Sequence, residues 1–357
     1  MASDQDLVVG TVRDILSGHE PFVLTDERRW DEGLWTALAE AGLTGVGLPE
    51  ESGGSGGELA DAVAVVRTLA AGAGAVPVAE HLLVAGPALV EASLDLPPVE
   101  QPLSIALAGE VAAAPSDDGD GPGRFLLTGT AADVAWAGVA SHLAVLTAPP
   151  EGMGGALLAL VDTSSLAITR TANMAGEPRG SLVLNRTPAL GAVVTEQQAA
   201  RVRARLALVR AVQIAAAMEQ VLAWTLQYAS ERYQFGRPLS RFQAIQVELA
   251  EMAGEVSAVT ALTDAAVRVL DGDEDVIPAA AAAKVRAGAA VEVVARRGHQ
   301  VHGAIGFTQE YKLQHLTRRL WSWRDEAGSE LAWSQALGAT LLASGPDTLW
   351  PSLTQVV

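Results

Sequence analysis

At 357 residues, 49% of them hydrophobic, the chain carries enough apolar mass for two or three buried cores. A formal charge of -18 excludes nucleic acid and anionic membrane surfaces as partners held by bulk electrostatics, and the lack of cysteine excludes disulfides, thiolate catalysis and thiolate metal ligands. The opening Met-Ala-Ser-Asp-Gln-Asp has neither the basic nor the apolar region of a signal peptide. The most alanine-rich stretch, residues 278–294, is broken by Lys284, Arg286 and Glu292 and is too polar to span a bilayer. A soluble, cytoplasmic protein is expected.

Taken in chain order, the first hundred residues read as helical. Trp35, Leu38 and Leu43 share a helical face, and the glycines at 42, 45 and 47 end it. The glycine-rich run at 53–57 lacks the Lys-Ser/Thr pair of a phosphate-binding loop, so it reads as a connection. A second helix is expected over Leu59–Ala71, stopped by Gly72 and Gly74. From about residue 102 the period changes. Short apolar runs at 125–130, 143–146, 156–161 and 181–184, bounded by Gly, Pro, Asp or Asn, read as strands. The acidic run at 117–121 lacks the spaced ligands and closing Glu of a calcium loop and reads as a solvated turn.

From Thr195 onward helices return. Val202, Leu206, Val209, Ile214, Met218, Val221 and Thr225 mark one; Phe242, Ile245, Leu249, Met252, Val256, Val259, Leu262, Ala266 and Val269 draw a continuous stripe along another, with Ser240 as expected N-cap and Asp271-Gly272 as stop. Three more are expected near 278–297, 310–323 and 329–342. Long helices with narrow apolar stripes describe an antiparallel bundle, which makes the chain α+β overall. The histidines show no metal-ligand spacing, and no metal site is expected.

Two segments in this half carry chemistry. The first is Arg232-Tyr233-Gln234-Phe235-Gly236 with Phe242-Gln243 downstream; the second runs Gln300-Val301-His302-Gly303-Ala304-Ile305-Gly306-Phe307. An arginine offers planar, paired donors to pyrophosphate oxygens, an aromatic ring a flat wall, glutamine amides further donors, and glycines let a backbone approach a ligand closely. The competing reading has Arg232 closing a helix favourably at its negative end. Arg318, Arg319, Trp321, Trp323 and Arg324 form a cationic aromatic cluster that reads either as a site for phosphates or a large apolar group, or as bundle packing with arginines paired to carboxylates.

These motifs resemble the R-x-x-F-G, F-Q and Q-x-x-G-G-x-G-F elements of the acyl-CoA dehydrogenase family, with Ala304 in place of the second glycine. The W-x-x-L-A-E-x-G-L-x-G and P-E-x-x-G-G order near the N-terminus is similar to the same family. The resemblance implies an N-terminal helical domain (1–101), a middle β domain (102–194) and a C-terminal four-helix bundle (195–357). It also implies that Arg232, Gln234, Phe235, Gln243, Gln300, His302, Gly303, Ala304 and Gly306 contact the ADP half of an FAD held mainly by a neighbouring subunit.

Other family features are missing. The T-E-P-x-x-G-S-D segment is absent after the run at 105–110, and Asp133-Val134-Ala135 stands where the W-I-T segment belongs, with Trp136 a near substitute on a shifted register. A carboxylate must lie within reach of the substrate's α-proton for the family's chemistry. Of the two family positions for that base, one falls on Ala327, flanked by Asp325 and Glu326, and the other on Leu206. The chain therefore resembles the short, non-catalytic subunit of actinobacterial α2β2 acyl-CoA dehydrogenases. The implied partner is a second family chain carrying the base and most acyl-CoA contacts, steroid side-chain thioesters are the implied substrates, and an electron-transfer flavoprotein is the implied acceptor. Two alternatives stand beside it: a self-sufficient homotetramer using Glu326, and a flavin-free scaffold.

Overall fold

The computed structural model describes residues 4–19, 30–116, 123–272, 274–345 and 347. The chain folds as two compact units, one from Met1–Val66 and Gly74–Leu206, the other from Arg67–Ala73 and Ala207–Val357.

The chain begins with helices α1 (Asp4–Ser17), α2 (Glu32–Glu40), α3 (Leu59–Ala71), whose last residues from Arg67 belong to the second unit, α4 (Val78–Glu80) and, after a π-helical turn at His81–Ala85, α5 (Gly86–Glu91). Asp31 caps α2 by accepting from the Leu34 amide at 3.0 Å, and Leu34, Trp35 and Leu38 form its buried face. The glycine run is a closed turn: the Gly56 amide donates to the Leu48 carbonyl at 2.9 Å, and a Cβ on Gly54 would lie 2.2 Å from that carbonyl oxygen. His81 ties the helices to the sheet. One ring nitrogen meets the Thr44 carbonyl at 2.9 Å while the other accepts from the Leu103 amide at 3.1 Å, so the ring is neutral, and burial pulls its pKa down to about 4.

Seven strands follow: β1 (Leu103–Leu107), β2 (Ala112–Pro115), β3 (Arg124–Ala135), β4 (His142–Thr147), β5 (Ala156–Asp162), β6 (Ile168–Ala172) and β7 (Pro178–Val194). They form one sheet in the order β1-β4-β5-β7-β3-β2, with β6 added to β7; only β1 and β4 run parallel. Each apolar run expected to be a strand lies inside β3, β4, β5 or β7. The polar strand β6, which buries almost nothing, gave no periodic signal. The acidic run at 117–121 lies outside the described residues.

Helix α6 (Glu196–Glu231) starts in the first unit and continues into the second. By length and composition it could cross a membrane, yet 67% of its most apolar window is buried within the protein, as in a bundle core. The second unit continues with the hairpin β8 (Tyr233–Gln234) and β9 (Arg237–Pro238), then α7 (Gln243–Asp271), α8 (Val276–His302), α9 (Leu313–Asp325) and α10 (Glu330–Ser344). The α7 stripe is buried at Leu249, Met252, Val256, Val259 and Ala266, and Gly272 ends the helix as expected. Ser240 is not its N-cap. It sits in a 3-10 turn at Leu239–Arg241, Phe242 occupies the cap position with extended backbone, and Ser240 contributes only a carbonyl that accepts from Gln246 at 3.0 Å. The last helix does begin on a serine cap, Ser329, whose hydroxyl accepts from the Ala332 amide.

Candidate functional site

The first motif folds as a hairpin at the end of α6. The Arg232 amide donates to Tyr228 and the Leu239 amide returns to the Arg232 carbonyl, both at 2.9 Å. Phe235 and Gly236 form its two-residue turn with positive φ of 51° and 80°, the geometry that matches the twist of paired strands. The turn holds Phe235 out, 92% exposed, edge-on to Phe242 at 6.3 Å, with the Arg237 guanidinium 4.1 Å over the Phe242 ring. Arg232, Gln234 and Gln243 are exposed, and Arg232 makes no ion pair among the described residues.

The second motif ends α8 and turns through Gly303–Phe307. Gly303 has φ 64° and ψ -144°, a conformation side chains avoid, and a Cβ there would meet nothing within 4 Å; the backbone angle, with open space around it, calls for glycine. Gly306 has a different cause, since a Cβ would lie 2.9 Å from that of His302. Gln300 and Ala304 are exposed, but His302 is not. Its ring stacks on Tyr228 with centroids 4.5 Å apart and tilts against Tyr311 at 5.1 Å, and Nδ1 lies 2.7 Å from the Gly298 carbonyl. Burial pushes its pKa down, with the Gly298 carbonyl opposing and the nearby His299 and Lys312 charges adding to the fall.

The two motifs meet. Val301 packs in a cluster with Ala229 and Leu249, against which Tyr228, Leu239 and Ile245 also pack, so hairpin, α7 start and glycine turn share one end of the bundle. The donors are cationic or amide, exposed, and placed beside an open glycine backbone. That set fits the pyrophosphate and adenosine half of a dinucleotide.

The loop joining α9 to α10 is built in the opposite way. Glu326 pairs with Arg210 of α6 at 2.8 Å, and Arg210, 3% exposed, also donates to Gln213 at 2.6 Å. Lys284 is fully buried and donates to the Arg324 carbonyl; Arg324 donates to Glu330 at 2.7 Å. Burial brings the Lys284 pKa down to about 8, against the pull of Glu330, with Arg210 lowering it further. Trp333 donates to the Ala327 carbonyl at 2.7 Å. The one acidic side chain beside the expected base position that faces inward is thus committed to a buried guanidinium, and Asp325 is exposed.

The cationic aromatic cluster is divided between buried and exposed positions, with Arg318 exposed. Trp323 and Arg319 are buried, Arg319 donating to the His315 carbonyl at 2.9 Å, while Arg324 lies over Trp321 at 5.3 Å. Asp133 sits exposed at a bulge of β3 with φ 53°, and Trp136, the near substitute for the missing tryptophan, is buried with φ 58°. Leu206 lies on α6 one turn before Arg210. Among the described residues no cluster of three or more histidines or carboxylates is arranged to hold a metal ion. Sequence reasoning missed Arg210, Lys284 and Glu330, whose only signal was charge on otherwise apolar helix faces.

Helices, a seven-stranded sheet and a helical bundle, in that chain order, define an acyl-CoA dehydrogenase-type fold. The chain belongs to the acyl-CoA dehydrogenase family: the family's N-terminal domain matches residues 2–93 and its C-terminal domain residues 191–330. It is 31% identical over 300 residues to the acyl-CoA dehydrogenase IpdE2 of Mycobacterium tuberculosis, covering 83% of this chain and 82% of that protein. Among solved structures it is similar to the Tcur3481-Tcur3483 steroid ACAD G363A variant, with TM-score 0.86, 29% identity and coverage of 96% of this chain and 98% of that one. The ChsE4-ChsE5 complex of Mycobacterium tuberculosis gives TM-score 0.83 and 26% identity over 97% of this chain and 99% of that one.

Proposed function

We propose that this chain is the non-catalytic subunit of a heteromeric, FAD-dependent acyl-CoA dehydrogenase: it completes a partner's flavin site and leaves the base to the partner. The observation that carries the reading is the contrast between free donors at Arg232, Gln234, Gln243 and Gln300 and a Glu326 engaged by buried Arg210. When bound, FAD accepts the hydride that leaves the β-carbon of an acyl thioester as its α-proton is abstracted. In this reading Arg232 binds pyrophosphate oxygens, Gln234, Gln243 and Gln300 donate amide hydrogens to phosphate or adenosine, and the backbone at Gly303, Ala304 and Gly306 lies along the ligand. Phe235 supplies an apolar wall. His302 stands behind the turn.

The partner is a second family chain that holds most of the acyl-CoA, and the complex is an α2β2 tetramer in the cytoplasm. Steroid side-chain thioesters are the proposed substrate class, in keeping with the steroid enzyme among the similar structures, and an electron-transfer flavoprotein is the proposed acceptor. The test is purification. Alone, the chain is expected to be colourless and inactive toward acyl-CoA with a dye acceptor; co-expressed with its partner chain it is expected to copurify yellow and active. A yellow, active isolated chain overturns the proposal in favour of a self-sufficient enzyme.

A further inference from the structure

His302 is the one polar member of the two motifs whose side chain is buried, and its surroundings explain it poorly as a ligand contact. Nδ1–H donates to the Gly298 carbonyl at 2.7 Å, which leaves Nε2 as the bare acceptor of a neutral ring. That nitrogen is buried without a hydrogen-bond partner among the described residues. The ring is clasped between Tyr228 of α6 and Tyr311 of the turn before α9, and the next residue is Gly303, which starts the glycine turn. The charged and titratable groups around it are Tyr228 and Glu231 from α6, His299 one turn back on α8, and Tyr311 and Lys312 from the approach to α9. Lys312 stands 4.5 Å over Trp224, and His299 stacks on Phe307 at the far end of the turn while meeting the Thr317 hydroxyl at 3.0 Å. A second ring proton would therefore enter a cage with no acceptor ready for it and with lysine and histidine as the nearest basic groups.

We infer that His302 is a positioning residue that latches the Gly303–Phe307 turn in its ligand-ready shape while neutral and releases it when protonated. This rests on the proposed flavin role of that turn, and it makes flavin retention by the assembled enzyme fall in mild acid. The size of the effect follows from linkage. A ring freed by opening regains an ordinary pKa of about 6.5, so opening becomes more favourable between pH 7.5 and pH 5.5, by at most about tenfold.

The experiment is amide hydrogen exchange of the full chain, followed by mass spectrometry and corrected for the intrinsic pH dependence of exchange. Protection of residues 303–307 is expected to fall, by up to about tenfold, from pH 7.5 to pH 5.5 in the wild type, while the α7 core at 256–266 holds. His302→Phe keeps a stacking ring that gains no proton, and it is expected to lose the pH step. An unchanged protection of 303–307 in the wild type, or a step that survives in His302→Phe, overturns the latch. In the two-chain complex, release of FAD read by its fluorescence is expected to follow the same pH range. A step in exchange with no step in FAD release would leave the latch standing and contradict the flavin reading instead.

Discussion

Two regions of the second unit, the motif end of the bundle and the loop between α9 and α10, hold similar residue types to opposite ends. At the motif end Arg232 and three glutamines stand exposed and uncommitted, and Phe235 is 92% in solvent. In the loop region Arg210, Lys284, Arg324, Glu326 and Glu330 are turned on one another. A solvated cation keeps its hydration until a ligand replaces it, so the first arrangement is suited to binding. A carboxylate held by a buried guanidinium is stabilised in its charged form and disfavoured as a proton acceptor in catalysis, so the second is suited to holding the fold.

The largest effect is expected from breaking the saturated region. Glu326→Ala removes the carboxylate that pairs with the buried Arg210 guanidinium and should cost about 3–5 kcal/mol of stability, measured by urea denaturation. Pairing it with Arg210→Met should restore most of the loss, and the folded complex should keep its turnover. Next comes Lys284. With a folded pKa of about 8 against 10.5 in the unfolded chain, it binds fewer protons folded than unfolded between those values. Stability therefore rises with pH from 8 to 10.5, and the full penalty is present below 8. The wild type should gain at most about 3 kcal/mol over that window relative to Lys284→Met, checked by urea midpoints at pH 7.5, 9 and 10. Gly288 sets a smaller scale: a Cβ there would lie 2.6 Å from Glu330 Cγ. Gly288→Ala should cost about 1–3 kcal/mol in thermal unfolding by pushing Glu330 off Arg324. The smallest effect marks the other side of the comparison. Phe235→Ala should leave the isolated chain's stability within about 0.5 kcal/mol, because the ring packs against almost nothing there.

Much of this was legible in sequence, and the limits have physical causes. Period and breakers located the helices and four of the strands because burial there is one-sided and repetitive. The N-cap of α7 was misplaced by two residues, since Pro238 and the 3-10 turn set the entry to that helix and a serine nearby carries no such information. The dinucleotide motifs were readable because they are local in sequence. That the two converge was not readable: Val301 meets Ala229 and Leu249 across long separations. The Arg210–Glu326 pair joins a position on α6 to a loop far away in the chain, and nothing periodic announces a buried charge whose partner arrives from elsewhere.

The central claim is that this chain gives a flavin contact and no base, and the dissociation constant of FAD in the two-chain complex tests it most directly. Arg232→Ala should weaken FAD binding by about 1.5–3 kcal/mol, one to two decades, while turnover per bound flavin stays close to wild type. Unchanged FAD affinity in Arg232→Ala, together with turnover abolished in a folded Glu326→Gln complex, would contradict the account.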